Sequence, residues 1–536
     1  MNPAQVTNLA RLLTHTARLF PERTALIQGD LRWTWAQIDQ RVDALVAALR
    51  ALGVQQGDRL LLQSRNNLAT FESAWAAFRM GCVWVPTNFR LAPGEVAYLG
   101  SSSGAVAMLV EPVFADHARA VVAEAPALRH VLWIGDAPAT DLPRVQQHGH
   151  EALVQQHLGA GPAEATVGYD DPLWFFYTSG TTGKPKAAIL THGQMNFVVA
   201  NHLADLIPGT DERDVSIAVA PLSHGAGIHA LLNVARGAAT VLLPSEKLDP
   251  AVVWHLIEQH RVSNLFTVPT IVKMLVEHPA VDQHDHSSLR FVIYAGAPMY
   301  RADQRLALQK LGPVLVQYFG LGEVTGCITV LPAHMHSADD ADPDSNIGSC
   351  GKPRTGMEIA ILDADMNLVP MGDIGEICVR GAAVFAGYHA NPEATAKALR
   401  GGWFHTGDLG KLDARGMLSI TGRESDMYIS GGSNVYPREC EELLLMHPAV
   451  AEVAVLGVPD RQWGETGVAV VVCRPGHSAT ADELIAFLDG KLARYRWPRQ
   501  VFFWDALPKS GYGKITKKDV RALLFERGEV QPVAAD

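Results

Sequence analysis

The chain has 536 residues, room for about three to four domain-sized units or fewer large ones. Hydrophobic residues at 48%, aromatics at 7% and charged residues at 19% exclude a disordered or fibrous chain and describe one that buries a large core. A formal net charge of −11 lacks the positive footprint of a nucleic-acid-binding protein, so an anionic ligand must find local donors.

The N-terminal stretch MNPAQVTNLARLLTHTARLF breaks its apolar residues with Arg and His. No uncharged run reaches the about 18 residues of a membrane span, and a cytoplasmic protein is expected. The six cysteines (Cys82, Cys327, Cys350, Cys378, Cys440 and Cys473) have no metal-ligand spacing and read as small apolar residues in a reducing compartment.

From about Ala25 to Leu109, helices near Trp35 to Leu52 and Thr70 to Gly81 alternate with short apolar strands, which predicts one α/β layer. The strand LWFFY runs into the loop YTSGTTGKPK, and the next helix waits for a capping box of Thr191 and Gln194. Between Asp214 and Gly320 the runs SIAVAP, AATVLLP, VSNLFTVP, LRFVIYAG and PVLVQYFG read as strands, while Asp249 and Pro250 open a helix. This predicts a second, mostly parallel sheet with crossover helices.

From Gly348 to Ile420 short strands such as MEIAIL and GEICVRG suit a small antiparallel sheet or barrel. A ββαβα unit is expected from Asp426, with strands AEVAVLGVP and GVAVVVCRP, a first clear helix at Thr480 capped with Glu483, and a last helix capped at Thr516. The boundary near Gly422 to Ser430 sets off a domain of roughly 110 residues. The expected class is α/β: a large domain over 1–424, with two doubly wound α/β layers and a small β-barrel-like subdomain, then a small mobile α+β domain over 425–536.

The loop Thr178, Ser179, Gly180, Thr181, Thr182, Gly183, Lys184, Pro185, Lys186 concentrates hydroxyls, glycines and lysines after a strand, a set suited to phosphate oxygens. It is not a Walker A loop, because the glycine spacing is too short and Pro185 stands where a magnesium-binding Ser or Thr would open a helix, which counts against a P-loop NTPase or kinase. Ligands of doubly wound sheets sit beyond the carboxyl ends of strands. Those ends carry His224 and Gly225, then Gly296, Ala297 and Pro298, then Phe319, Gly320, Leu321, Gly322 and Glu323. Gly296 permits close backbone approach to a flat ligand, Phe319 offers a stacking face and Glu323 is a candidate magnesium ligand. Asp408 on a Gly turn and Arg423 could hold a ribose, and Lys514 lies on a glycine-flanked loop from which it can swing into a cleft.

These segments, in this order, resemble the acyl-activating adenylate-forming superfamily of acyl-CoA synthetases, luciferases and peptide-synthetase adenylation domains. The resemblance is strongest from Asp171 to Lys518 and rests on YTSGTTGKPK, GGSNVYP and LPKSGYGKI. It implies that Thr178 to Lys186 is the phosphate loop, Gly296 to Pro298 contacts adenine and Phe319 and Gly320 border it. Glu323 and Thr178 are the implied metal pair, Asp408 and Arg423 the ribose pair, and Lys514 the adenylation lysine. Gly431 and Gly432 are the implied lining of a CoA tunnel, His224 the gate, and His224, Gly225, Ala226 and Gly322 the acyl pocket. The implied reaction is activation of a carboxylic acid by ATP and Mg2+ to an acyl-adenylate, then transfer to CoA after the small domain rotates about a hinge at Ser425. Gly322 departs from the usual Thr and Ser425 from the usual Asp or Lys.

The stretch PLSHGAGIHALLNVA carries no Asp, Glu, Arg or Lys, so an uncharged acyl group is expected, a medium-to-long fatty acid or an aromatic acid, with Ala226, Gly296 and Gly322 leaving room for it. The alternatives are an amino- or aryl-acid adenylating enzyme that loads a separate carrier protein, or a decayed, non-catalytic nucleotide- or acyl-binding homologue. No nucleic-acid partner is expected, and a homodimer is left open. His284 with His286, and His334 with His336, read as solvated loop residues rather than metal ligands.

Overall fold

The computed structural model describes residues 7–531 except 163, 179–183, 298, 343–344, 424, 431–432 and 510–514. Strands Ala239–Leu242, Val215–Ala218, Asn264–Thr267, Phe291–Tyr294 and Leu315–Phe319 lie side by side in parallel. The sheet is covered by helices on both faces. Ile217, Val241, Leu265 and Val292 pack with helices Pro250–His260, Pro269–Glu277 and Arg301–Leu311. Their neighbours Ala218, Leu242, Ile293 and Val316 belong instead to the cluster containing helix Gly225–Arg236. Asp249 accepts from the Ala251 amide at 2.9 Å, the N-cap expected ahead of Pro250.

The second sheet has the order Gln146–Gly149, His130–Trp133, Ala107–Val110, Arg59–Gln63, Val83–Pro86, Pro172–Thr178, Lys186–Thr191. Its last pair is antiparallel. One expectation needs correcting: Ala25 to Leu109 is not a single layer. Strand Thr24–Gln28 runs parallel beside Ala239–Leu242 at the far edge of the first sheet, with Leu31–Thr34 outside it. Helices Trp35–Ala51 and Leu68–Met80 pack together, and between them the chain enters the second sheet at Arg59–Gln63. Pairing across more than 200 residues leaves no local mark in the sequence.

Strands Ser349–Pro353, Leu418–Arg423, Phe404–Leu412, Gly375–Gly381 and Met357–Leu362 are the antiparallel set expected after Gly348. They do not stand apart: Thr329–Leu331 joins them to Leu315–Phe319 in one hydrogen-bonded path. A separate five-stranded sheet follows, built on the hairpin Val450–Asp460 and Gly464–Cys473 with Gln500–Phe503 parallel beside it. Its first helix is Pro437–Leu445, not the one capped by Thr480 and Glu483. The sequence reading missed it because nine residues with Glu439, Glu441 and Glu442 show only two helical turns of apolar spacing.

The cysteines are free thiols, five of them buried. Burial pushes the Cys82 and Cys350 thiols up to about 12 and Cys327 to about 11, so they stay protonated and inert. No helix among the described residues is long and apolar enough to cross a membrane.

Candidate active site

The hydroxyl-rich loop spans an antiparallel hairpin, since Thr178 closes strand Pro172–Thr178 opposite Lys186 at the start of Lys186–Thr191. This is a strand–loop–strand, so the Walker arrangement is absent here; Ser179, Gly180, Thr181, Thr182 and Gly183 lie outside the described residues. At the loop's base Thr178 Oγ1 donates to Glu323 Oε1 at 3.0 Å, and the Tyr388 hydroxyl donates to the same oxygen at 2.9 Å. Glu323 sits in the short turn Gly322–Val324 just after Leu315–Phe319, and the Phe385 amide holds its carbonyl at 2.8 Å.

Glu323 is buried. A buried carboxylate persists only if donors or cations compensate it. Burial, reinforced by the Glu323 carboxylate, pushes the Tyr388 phenol far above its ordinary range, so Tyr388 keeps its proton and remains a donor. Both hydrogen bonds go to Oε1, leaving Oε2 without one among the described residues. A carboxylate oxygen beside a hydroxyl is an all-oxygen, hard donor set, which fits Mg2+ held by one carboxylate together with substrate phosphates. Lys186 places its ammonium 5.1 Å from the Tyr388 ring, and Lys184 sits 5.2 Å from that of Tyr98.

Among the residues expected to meet a nucleotide, strand Phe291–Tyr294 ends at buried Ala295, and the chain turns through Gly296 at φ 84° before half-buried Ala297. That left-handed conformation is one a glycine adopts without strain. Pro298 lies outside the described residues. Phe319 is half-buried at its strand end, and Gly320 lies against Gly326, where a Cβ would come within 2.3 Å of the Gly326 Cα. Asp408 and Arg423 are cross-strand neighbours in register, with Arg423 Nε 3.1 Å from Asp408 Oδ1. Asp408 is buried while 54% of the Arg423 side chain is exposed, so the arginine covers a fixed carboxylate. Ser425 is exposed and donates to Asp426 at 3.4 Å.

Among the residues expected to line an acyl pocket, His224 precedes helix Gly225–Arg236, and its ring lies 4.5 Å from that of Phe176 at 31°. Gly225 approaches Phe266, where a Cβ would meet ring carbon Cε1 at 2.7 Å. Gly322 does not leave open space: a Cβ there would lie 2.6 Å and 2.7 Å from two Phe176 ring carbons and 3.0 Å from Thr178 Cγ2. The volume that a Thr would occupy is taken by Phe176, which the sequence reading did not single out. Ala226 is buried beside Leu222 in the same cluster.

The structure therefore brings Thr178, Glu323, Gly322 and His224 together through Phe176 and Tyr388, and pairs Asp408 with Arg423. Lys514, Gly431 and Gly432 lie outside the described residues. Tyr388, Phe176 and Phe266 went unnoticed. Tyr388 meets Glu323 across 65 positions, and the aromatics read as ordinary core residues in strands. Of the histidine pairs, His336 lies in a loop but is not freely solvated: its ring nitrogens meet the Tyr294 hydroxyl at 3.0 Å and the Pro332 carbonyl at 3.0 Å, and burial pushes it down to about 4. His284 pairs with Glu258 at 2.6 Å near His255, and His286 lies 5.4 Å from the Trp254 ring.

The family profile described as AMP-binding enzyme matches residues 13–389, and the AMP-binding enzyme C-terminal domain matches residues 439–514. Over 507 residues the chain is 38% identical to a feruloyl-CoA synthase of Amycolatopsis sp, covering 94% of this chain and 96% of that one. It is 33% identical to an indoleacetate–CoA ligase of Aromatoleum aromaticum, covering 97% and 98% respectively. The crystal structure of the anthranilate CoA ligase AuaEII in complex with anthranoyl-AMP superposes with a TM-score of 0.88 at 25% identity, covering 98% of this chain and 99% of that one. With these matches over nearly its full length, the chain belongs to the AMP-binding enzyme family, within the adenylate-forming acyl-CoA synthetase superfamily.

Proposed function

We propose that this ATP-dependent, AMP-forming acid–CoA ligase activates a neutral aromatic carboxylic acid. The observation that carries this reading is the wall beside helix Gly225–Arg236. There the rings of His229, Phe266 and Tyr318 stack face to face, with centroids 4.3 Å apart at 8° for His229 and Phe266 and 5.8 Å apart at 16° for Phe266 and Tyr318. Flat, near-parallel rings favour a flat ligand by offset stacking. The neighbouring residues Leu222, Ala226 and Ala230 are apolar. An α-ammonium or second carboxylate would be buried there without a counter-charge, at a cost of several kcal/mol.

In the first half-reaction the acid carboxylate attacks the α-phosphorus of ATP, and the bond to the pyrophosphate oxygen breaks. In this reading Thr178 to Lys184 bind the phosphates, and Lys514 and the loop amides meet the charge developing on the α-phosphate. Magnesium, when bound, neutralises phosphate charge, and Glu323 and Thr178 are the residues to hold it, with Tyr388 orienting the carboxylate. Gly296 to Pro298, Phe319 and Gly320 take adenine, and Asp408 and Arg423 take the ribose. In the second half-reaction the CoA sulfur attacks the acyl carbonyl and AMP leaves, with pantetheine entering past Gly431 and Gly432 and His224 as gate. We assign residues 1–424 to the AMP-binding domain and 425–536 to a mobile domain turning about Ser425. The setting that supplies ATP and CoA is the cytoplasm, and each site residue named here comes from one chain, whether or not it forms a homodimer.

The test is a panel of cinnamate, benzoate, decanoate, malonate and phenylalanine at fixed ATP, Mg2+ and CoA. The reading expects cinnamate or benzoate to give the highest kcat/KM. Decanoate in first place would make the acid a fatty one, and malonate or phenylalanine would overturn the neutral pocket.

A further inference from the structure

Polar residues form a row beneath helix Gly225–Arg236 where a parallel sheet would ordinarily be apolar. Ser216 lies in register with Thr240 on one side and Asn264 on the other, so the three occupy one face of neighbouring strands. Part of the row is satisfied: Asn264 donates to Asn233 of the helix at 3.2 Å, and Asn233 donates to the His229 carbonyl at 3.0 Å. The rest is not. Thr240 Oγ1 and His229 Nε2 are buried, their residues 3% and 5% exposed, and neither has a hydrogen-bond partner among the described residues.

Both residues line one narrow cavity, together with Ser216, Ala226, Ala230 and Phe266. An unpaired buried donor or acceptor costs about 1–3 kcal/mol, so two of them on one cavity mark a place where a ligand group completes the bonding. The cavity's position identifies that ligand. Along the helix, His229 lies about 7.5 Å from His224 at 1.5 Å per residue, roughly the span of one substituted benzene ring. Phe266 touches both ends: it meets Gly225 at the gate and stacks on His229 at the depth.

Burial holds His229 neutral, pushing it down to about 3, with the Arg354 charge adding to the effect. Arg354 is itself paired with Asp205 at 3.3 Å. A neutral imidazole and a threonine hydroxyl can between them take and give one hydrogen bond, which a phenol hydroxyl matches and a second carboxylate does not. We propose that His229 and Thr240 form a receptor for a hydroxyl group at the far end of the aromatic acid, so that the enzyme prefers 4-hydroxylated aryl acids to their unsubstituted counterparts. This inference rests on the aromatic-acid reading above and adds the residues that choose among such acids.

The experiment compares 4-hydroxycinnamate, 2-hydroxycinnamate and cinnamate, by kcat/KM for CoA thioester formation, in the wild-type enzyme and in Thr240→Val and His229→Phe. The wild type should favour 4-hydroxycinnamate over both others by about 10–100-fold, the worth of one buried pair left unmet. In Thr240→Val, which keeps the side chain's size, that preference should fall by about tenfold, and His229→Phe should move it the same way. Should His229→Phe fail to fold, the near-isosteric Thr240→Val decides. A wild type that uses cinnamate and 4-hydroxycinnamate equally overturns the receptor while leaving the aromatic-acid reading intact. A preference that survives both substitutions overturns it too. No thioester from any of the three acids, with turnover of decanoate, refutes the aromatic-acid reading itself.

Discussion

Replacing Gly322 by Thr, the residue more usual in the superfamily, should harm this protein rather than improve it. A Cβ at 322 would lie 2.6 Å and 2.7 Å from Phe176 ring carbons and 3.0 Å from Thr178 Cγ2. The Phe176 ring has little freedom to yield, since it is 4% exposed and packed between Trp174, 5.7 Å away, and His224, 4.5 Å away. Overpacking of this kind costs about 1–3 kcal/mol. Phe176→Ala alone should cost about 3–5 kcal/mol through the cavity it leaves. The two changes compensate in shape, so the double variant should be more stable than the sum of the singles by about 1–2 kcal/mol, within the range for contacting residues. Urea midpoints followed by tryptophan fluorescence for all four proteins measure the coupling, and ATP–pyrophosphate exchange in Gly322→Thr should fall because Thr178 is displaced from Glu323. Additivity within about 0.5 kcal/mol would refute the shared-volume argument.

Lys514→Ala should lower adenylate formation by on the order of 10²–10³ while thioester formation from preformed acyl-AMP persists; equal losses in both half-reactions would remove the lysine from the first step alone. Gly432→Leu should do the reverse, sparing pyrophosphate exchange while CoA product is lost, since a branched side chain blocks close approach by pantetheine. Tyr388→Phe removes a hydrogen bond to a charged group, worth about 1.5–3 kcal/mol, so exchange should fall about 10–100-fold with a raised requirement for Mg2+; an unchanged Mg2+ dependence would count against Tyr388 orienting Glu323. Burial lowers His192 and His336 to about 4 and His229 to about 3. The unfolded chain therefore binds more protons than the folded one as pH drops from about 6.5 toward 4, and the urea midpoint should fall across that window; a flat profile would mean these rings are charged when folded.

What could be read from the sequence depended on range. The strands from Val215 to Phe319 and the caps at Asp249, Thr191 and Thr480 were legible because strand period and cap chemistry are local. Strand Thr24–Gln28 was placed in the wrong sheet because its partner is Ala239–Leu242, and nothing within a dozen residues of Thr24 encodes that. The site divides in the same way. Thr178, Glu323 and Arg423 stand in polar motifs at or just beyond strand ends, while Asp408, expected on a Gly turn, lies within strand Phe404–Leu412. Tyr388, Phe176 and His229 carry no such signature: each acts by meeting a residue that the fold delivers from elsewhere. Gly322 was the instructive case, because a missing side chain is read as empty space until its neighbours are known.

The most direct test of the central claim follows the adenylyl and acyl groups together. The enzyme is incubated with ATP, Mg2+, CoA and 4-hydroxycinnamate, and AMP, pyrophosphate, ADP and the aryl thioester are measured by chromatography. The account predicts AMP, pyrophosphate and aryl-CoA in equal amounts, with aryl-adenylate accumulating when CoA is withheld. Release of ADP, or AMP formed without any thioester, would contradict it.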